Sequence, residues 1–300
     1  MPALPWLAGL IVDLPTPFHD DDSVDLAAFA QLCERQIAAG ASALLVGETA
    51  GEMATLTDDE HDALVRTAVA IARGRACVIA GAGSNATGHA IALTRRAEAA
   101  GADAAMSVVP YYNKPTQAGF EAHFRAVADA TTLPVILHDA PSRCARGLAD
   151  DALLRLAATP RIVGLLDRSG DPMRPLRLRA QAPGFALLTG DDSGAVSGLM
   201  PGCDGWVSSL AAVVPERCVE AFEACHQGRP HHAARLAALL LPLAIALTAD
   251  TTPASVKYAL GLHGWCSPRV RLPMVELSAT EKAAIALAMT ASFKSGASAA

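Results

Sequence analysis

Seven short polar clusters, mostly acidic, recur along the chain and bring together side-chain types that could do chemistry. They are Thr16; Glu48-Thr49-Ala50-Gly51-Glu52; Tyr111-Tyr112-Asn113; His138-Asp139; Asp167-Arg168; Asp191-Asp192; and Ser208-Ser209, with Arg143 shortly after the fourth. A histidine titrates near neutral pH, so His138 is the natural general acid or base. Imidazole and carboxylates are also the donors that zinc, manganese or magnesium prefer, and His138, Asp139, Asp167, Asp191 and Glu48 supply both. Their spacing matches no metal-binding motif, so no metal is assigned. An amine nucleophile is scarcer. Of 24 basic residues only four are lysines: Lys114, Lys257, Lys282 and Lys294.

Each cluster lies at the C-terminal end of a short apolar run or just after it. The runs are Leu10–Pro17, Ala43–Gly47, Cys77–Gly83, Ala104–Pro110, Pro134–Ala140, Arg161–Asp167, Phe185–Gly190 and Gly205–Leu210. None alternates cleanly, which suits strands covered on both faces. Amphipathic stretches lie between most of them, for example Val24–Ala38, Asp58–Arg73, Ala86–Ala99 and Thr116–Ala130. Eight strands alternating with helices predict a (β/α)8 TIM barrel, whose chemistry sits at the C-terminal strand ends. An open doubly wound sheet would need a glycine-rich turn after its first strand. Leu14-Pro15-Thr16-Pro17-Phe18 has no glycine there. Beyond about residue 228 only helical patterns remain: His231–Thr248, Pro253–Leu262 and Ala279–Ser292. The expected division is a barrel over residues 1–227 and a C-terminal helical extension over 228–300, with Ser295–Ala300 fraying.

Composition narrows the class. The chain is 52% apolar and 18% charged, so it is able to bury a large core. A net charge of -6 gives no footprint for nucleic acid or an anionic membrane. Seven scattered cysteines, with no Cys-x-x-Cys pair, read as free thiols in a reducing compartment. The N-terminus lacks the basic region of a signal peptide. The longest apolar run, Leu236–Leu247, contains Pro242 and is too short to span a bilayer. The expectation is a cytoplasmic protein.

Several segments, in order, carry a family resemblance. Gly51-Glu52-Met53-Ala54-Thr55-Leu56, Asp59-Glu60-His61, Ala80-Gly81-Ala82-Gly83-Ser84-Asn85-Ala86-Thr87 and Pro110-Tyr111-Tyr112-Asn113-Lys114-Pro115 belong to it. So do Pro141-Ser142-Arg143, Thr189-Gly190-Asp191-Asp192 and Arg271-Leu272-Pro273-Met274. Together they resemble the dihydrodipicolinate synthase / N-acetylneuraminate lyase family from Leu10 to about Leu287. The resemblance implies a (β/α)8 barrel with a helical extension, assembled as a homodimer or homotetramer, with a 2-keto acid as small-molecule partner and no cofactor. It also implies a Schiff base between that acid and a lysine on strand six, the iminium serving as electron sink.

This chain departs from that pattern in three places. Gly164-Leu165-Leu166-Asp167-Arg168-Ser169-Gly170 puts Leu166 at the lysine position, and no lysine lies between Lys114 and Lys257. His138 stands where the family has a proton-relaying tyrosine. Thr49 matches the relay threonine, its neighbour is Ala50, and Glu48 replaces a glycine before them. By resemblance, Thr49 and Tyr112 join His138 as catalytic residues, Tyr112 being lent across a dimer interface. Arg143 matches the carboxylate clamp for the second substrate. Ala50, Gly51, Leu166, Gly190 and Val207 complete the expected substrate-binding set. Lys114 and Lys257 are expected not to reach the barrel floor. Three readings follow: a divergent lyase without a Schiff base, a non-catalytic carboxylate-binding homologue, or a genuine dihydrodipicolinate synthase. Asp167 and Arg168 are open to pairing with each other, and Cys144 is expected to be inert.

Overall fold

The computed structural model describes residues 4–199, 202–248 and 252–294. Eight parallel strands close into a barrel in sequence order: β1 (Leu10–Asp13), β2 (Ala43–Val46), β3 (Cys77–Gly81), β4 (Ala104–Val108), β5 (Val135–Asp139), β6 (Ile162–Asp167), β7 (Ala186–Thr189) and β8 (Gly205–Ser208), with β8 pairing back onto β1. Each predicted strand is present and each is shorter than its apolar run. The surplus residues turn out of the barrel into the loops, and the polar clusters sit at the last strand residues or just beyond them.

Around it lie α1 (Leu26–Ala38), α2 (Asp58–Ala72), α3 (Thr87–Ala99), α4 (Gln117–Asp129), α5 (Pro141–Cys144), α6 (Asp150–Ala157), α7 (Arg174–Gln181), α8 (Ala195–Leu199) and α9 (Pro215–His226). The polar residues ahead of the helices act as caps. Asp25 accepts from the Ala28 N–H, Thr116 from the Gly119 N–H, and Thr57 and Glu60 form a reciprocal capping box on α2.

The two faces of the strands explain their unbroken apolarity. Ile11, Ala43, Leu45, Ile79, Ala104, Met106, Ile136, Leu166, Ala186, Leu188 and Val207 fill the barrel interior, while Val12, Leu44, Val46 and Val78 pack outward under the helices. Each Val, Leu, Ile or Met side chain so buried contributes about 1.5–3 kcal/mol. Side chains alternate along a strand, so the inward parity extends to the C-terminal rim. It carries Asp13 beyond Ile11, His138 beyond Ile136, Arg168 beyond Leu166 and Gly190 beyond Leu188.

The extension consists of α10 (Pro230–Thr248), α11 (Ala254–Leu262) and α12 (Ala279–Lys294). Helix α10 is longer than the apolar run within it, and by length and composition it is long enough to cross a membrane. Its inner face, including Leu236, Leu240, Leu243 and Leu247, is buried, and the helix packs against α9 and α12. Two cations tie the extension to the rim of β2. Lys257, fully buried, donates to Glu52 Oε1 at 2.7 Å and lies 4.1 Å from the Phe18 ring centre. Arg271 pairs with Glu60 and donates its backbone N–H to Glu52 Oε2 at 3.1 Å. The Arg271 guanidinium outweighs partial burial and pulls the Glu60 carboxyl down to about 2. Ser295–Ala300, expected to fray, lie outside the described residues.

Candidate active site at the C-terminal mouth of the barrel

A hydrogen bond spans the mouth. His138 Nδ1 on β5 lies 2.8 Å from Glu48 Oε1, just past β2, with two strands between them around the barrel wall. The second Glu48 oxygen accepts from the Thr49 hydroxyl at 2.5 Å and from the Thr49 N–H. Burial opposes charge on Glu48, but His138 and Thr49 overcome it and hold the carboxyl down at about 2. An ionised Glu48 only accepts, so Nδ1 must donate. In the neutral ring the lone pair then sits on Nε2. That atom is buried and has no hydrogen-bond partner among the described residues. The arrangement is a base with its tautomer fixed by a carboxylate.

A second carboxyl faces the same space. Asp13 accepts from the Ala50 N–H at 3.2 Å through Oδ2, and its Oδ1 has no partner among the described residues. Burial, reinforced by the charge on Glu48, pushes Asp13 up from 3.8 to about 8. Two neighbouring carboxyls with opposed shifts give one donor and one fixed anion at neutral pH. The folded state favours protonated Asp13, so its contribution is complete below the unfolded pKa near 4 and is lost as pH rises toward about 8. Asp13→Asn, which cannot ionise, is expected to gain stability over the parent between pH 4 and 8. The measurement is the melting temperature of both proteins across that range, and a constant difference would refute the assignment.

The β6 side departs from the sequence expectation. Asp167 and Arg168 do not pair with each other. Adjacent strand residues point to opposite faces. Asp167 turns outward to Arg174 Nη1 at 3.0 Å, while Arg168 follows the inward parity above Leu166. Arg174, nearly fully buried, also donates to Asp139 Oδ2 at 2.8 Å, Asp150 Oδ1 at 3.0 Å and the Leu148 carbonyl at 2.6 Å. With Asp139 and Asp167 spent on this arginine, the five residues with metal-ligand chemistry are not gathered. Among the described residues no cluster of three or more His, Cys, Asp or Glu side chains is placed to hold a metal ion.

Arg168 and Arg143 line a cleft of about 860 Å³ over the ends of β6 and β7, together with Thr189, Gly190 and Asp192. Gly190 is required there: a Cβ would sit 2.7 Å from Arg168 Cγ and 2.9 Å from Leu166 Cδ1. Of the two aspartates after β7, Asp192 is the buried one and Asp191 is exposed. Asp192 accepts from Trp206 Nε1 at 2.9 Å, the Ser209 hydroxyl at 3.1 Å and the Leu210 N–H at 2.9 Å.

The remaining predicted positions divide in two. Ala50 is buried and donates to Asp13, the Gly51 carbonyl accepts from the Thr16 hydroxyl at 2.7 Å, and Val207 lies in the barrel interior. Tyr112 is 88% exposed with φ of 71°, displayed outward by this single chain. Lys257 is held by Glu52 and Lys114 sits on the exposed loop after β4. Burial pushes the Cys144 thiol up to about 11, consistent with an inert residue. Sequence reasoning missed Asp13, and its one signal was an acid inside the apolar run Leu10-Ile11-Val12-Asp13-Leu14.

Comparison with known proteins agrees with this architecture. The Dihydrodipicolinate synthetase family pattern matches residues 6–292. A 4-hydroxy-tetrahydrodipicolinate synthase of Rhodospirillum centenum is 44% identical over 89% of this chain and 92% of its own. One from Thiobacillus denitrificans is 43% identical over 94% and 95%. Among solved structures, a dihydrodipicolinate synthase from Cyanidioschyzon merolae with lysine bound superposes with a TM-score of 0.93 at 35% identity, covering 96% of this chain and 98% of its own. The chloride-inhibited enzyme of Acinetobacter baumannii, complexed with pyruvate, gives 0.92 at 35% identity over 95% and 98%.

Proposed function

The chain belongs to the dihydrodipicolinate synthetase family, and on that premise we propose that it is a synthase-type lyase that enolises a 2-keto acid without a lysine imine. The observation that carries the proposal is the Glu48–His138 bond across the mouth, beside Leu166, the register partner of His138 on β6. His138 Nε2 takes a proton from the carbon next to the keto group. Neutral Asp13 donates a hydrogen bond to the enolate oxygen, the role a protonated carboxyl fills in a buried site. The enolate carbon attacks the carbonyl of a second reactant, and the proton on His138 passes to the new alkoxide. Arg143 meets the carboxylate of that second reactant. Tyr112 acquires a role in a homodimer, where an exposed tyrosine is available to a neighbouring site.

The relatives' names weigh against a non-catalytic homologue. They also favour a second reading, the family's own 4-hydroxy-tetrahydrodipicolinate synthase reaction, since relatives so named are 40–44% identical over most of the chain. That reading speaks more strongly through the comparisons than the departed mechanism does. Leu166 is what speaks for the departure.

Borohydride reduction in the presence of labelled pyruvate separates the two. The expected result is no covalent adduct on any lysine peptide, together with deuterium exchange into the pyruvate methyl group in D2O. A reduced adduct would establish the imine route and the second reading.

A further inference from the structure

The two backbone N–H groups at the start of the turn after β2 are both engaged by the chain's own carboxyls. Thr49 N–H donates to Glu48 Oε2, and Ala50 N–H donates to Asp13 Oδ2 at 3.2 Å. A substrate carboxylate cannot take these donors without displacing a buried acid, and an incoming anion would also face Glu48 directly. The positive charge at the mouth lies elsewhere. Arg168 continues the inward face of β6 one step above Leu166, and its aliphatic stem crosses Gly190. Its backbone N–H is fixed to the Asp139 carbonyl at 2.9 Å. Its guanidinium has no ion pair or hydrogen bond among the described residues, while the other cleft acids are already served. Asp167 pairs with Arg174, Asp171 with Arg177, and Asp192 accepts three hydrogen bonds. Asp191 accepts from the Ser193 N–H and hydroxyl, facing solvent.

We propose that Arg168 is the carboxylate-binding residue for the keto acid. This rests on the keto-acid reading above and deepens it. A guanidinium offers a planar two-point fork to a carboxylate. With the carboxylate on Arg168 above Leu166, the keto carbon and its neighbour fall toward β5, where His138 is paired in register with Leu166. Substrate anchor and base then belong to adjacent strands. The same side chain lies near Asp13 and Asp192, whose carboxyls its charge lowers against burial, so binding an anion there also favours keeping Asp13 protonated.

The test is calorimetry with three probes: pyruvate, its neutral amide, and propionate, which has the carboxylate but no keto group. The variants are Arg168→Met, which keeps the stem over Gly190, and Arg168→Lys, which keeps the charge without the fork. Arg95→Met, on the exposed face of α3 away from the cleft, is the control. The parent is expected to bind pyruvate at least tenfold more tightly than the amide, about what one charge-assisted pair supplies. Arg168→Met is expected to weaken pyruvate ten- to a hundredfold and erase that preference, Arg168→Lys to fall between, and Arg95→Met to match the parent. Pyruvate binding by Arg168→Met within threefold of the parent overturns the anchor while leaving the keto-acid reading intact. Propionate binding equal to pyruvate, and lost in Arg168→Met, supports the anchor and removes the keto-acid reading. A parent that binds none of the three overturns both.

Discussion

Replacing His138 by alanine is expected to slow deuterium exchange into pyruvate by about 10²–10⁴-fold, the usual contribution of a positioned general base. In barrier height that is about 3–5 kcal/mol. Nε2 is buried at the mouth of the barrel with its partner nitrogen committed to Glu48, so no other imidazole position is free to take the proton. Glu48 does not touch the substrate in this scheme; it is a positioning residue. Glu48→Gln presents an amide that cannot accept from Thr49 and His138 through both of its heteroatoms, so the ring loses its fixed tautomer. For this variant kcat is expected to fall about ten- to a hundredfold with KM little changed, whereas a merely structural loss would disturb both. Exchange is measured by proton NMR in D2O, with folding of each variant checked by its melting transition. Exchange by His138→Ala within threefold of the parent would remove His138 from the mechanism.

The barrel was legible because its strands are buried on both sides. Continuous apolar runs such as Ala104–Pro110 have one good reading once helical stretches separate them, and the resemblance supplied the order of the motifs. The same property hid much of the site. A strand without alternation does not reveal which residues face inward, so Asp13 passed as part of a core run and Arg168 as a partner for Asp167. Parity resolves both, but it needs the register of β1 and β6 within a closed sheet. Pairings between distant segments were equally out of reach. Glu48 and His138 are 90 residues apart, and Lys257 and Glu52 are 205 apart. No local pattern announces a bond that forms only when segments distant in sequence meet in the closed fold. Leu166 was legible for the opposite reason. An absent lysine is a property of the sequence, and the structure adds where that leucine sits, within the apolar interior just below Arg168.

Arg174→Met is expected to lower the unfolding free energy by about 3–5 kcal/mol, the cost of stranding a buried charge by removing its partner. Arg174 is 3% exposed and Asp139 is fully buried, so neither carboxylate solvation nor rearrangement offers an easy escape for Asp139. The same guanidinium reaches Asp167, Asp150 and the Leu148 carbonyl, so it joins the ends of β5 and β6 to the loop before α6 and to the start of that helix. Lysine cannot substitute: a single ammonium lacks the planar fork that serves acceptors on three sides, so Arg174→Lys is expected to recover less than half of the loss. Removing the buried acid as well should help more. The double variant Arg174→Met/Asp139→Leu leaves no uncompensated charge at the fully buried position and is expected to regain most of the stability. Urea denaturation of the four proteins gives the comparison, and a loss below about 1 kcal/mol in Arg174→Met would show the hub to be dispensable. Because β5 carries His138 and β6 carries Leu166 and Arg168, a loosened pair of strand ends moves base and anchor relative to each other. Near-attack geometry tolerates little of this: about 1 Å of misplacement is worth roughly a hundredfold in rate. Arg174→Met should therefore lose exchange activity at temperatures where it is still fully folded, although it touches neither the substrate nor His138.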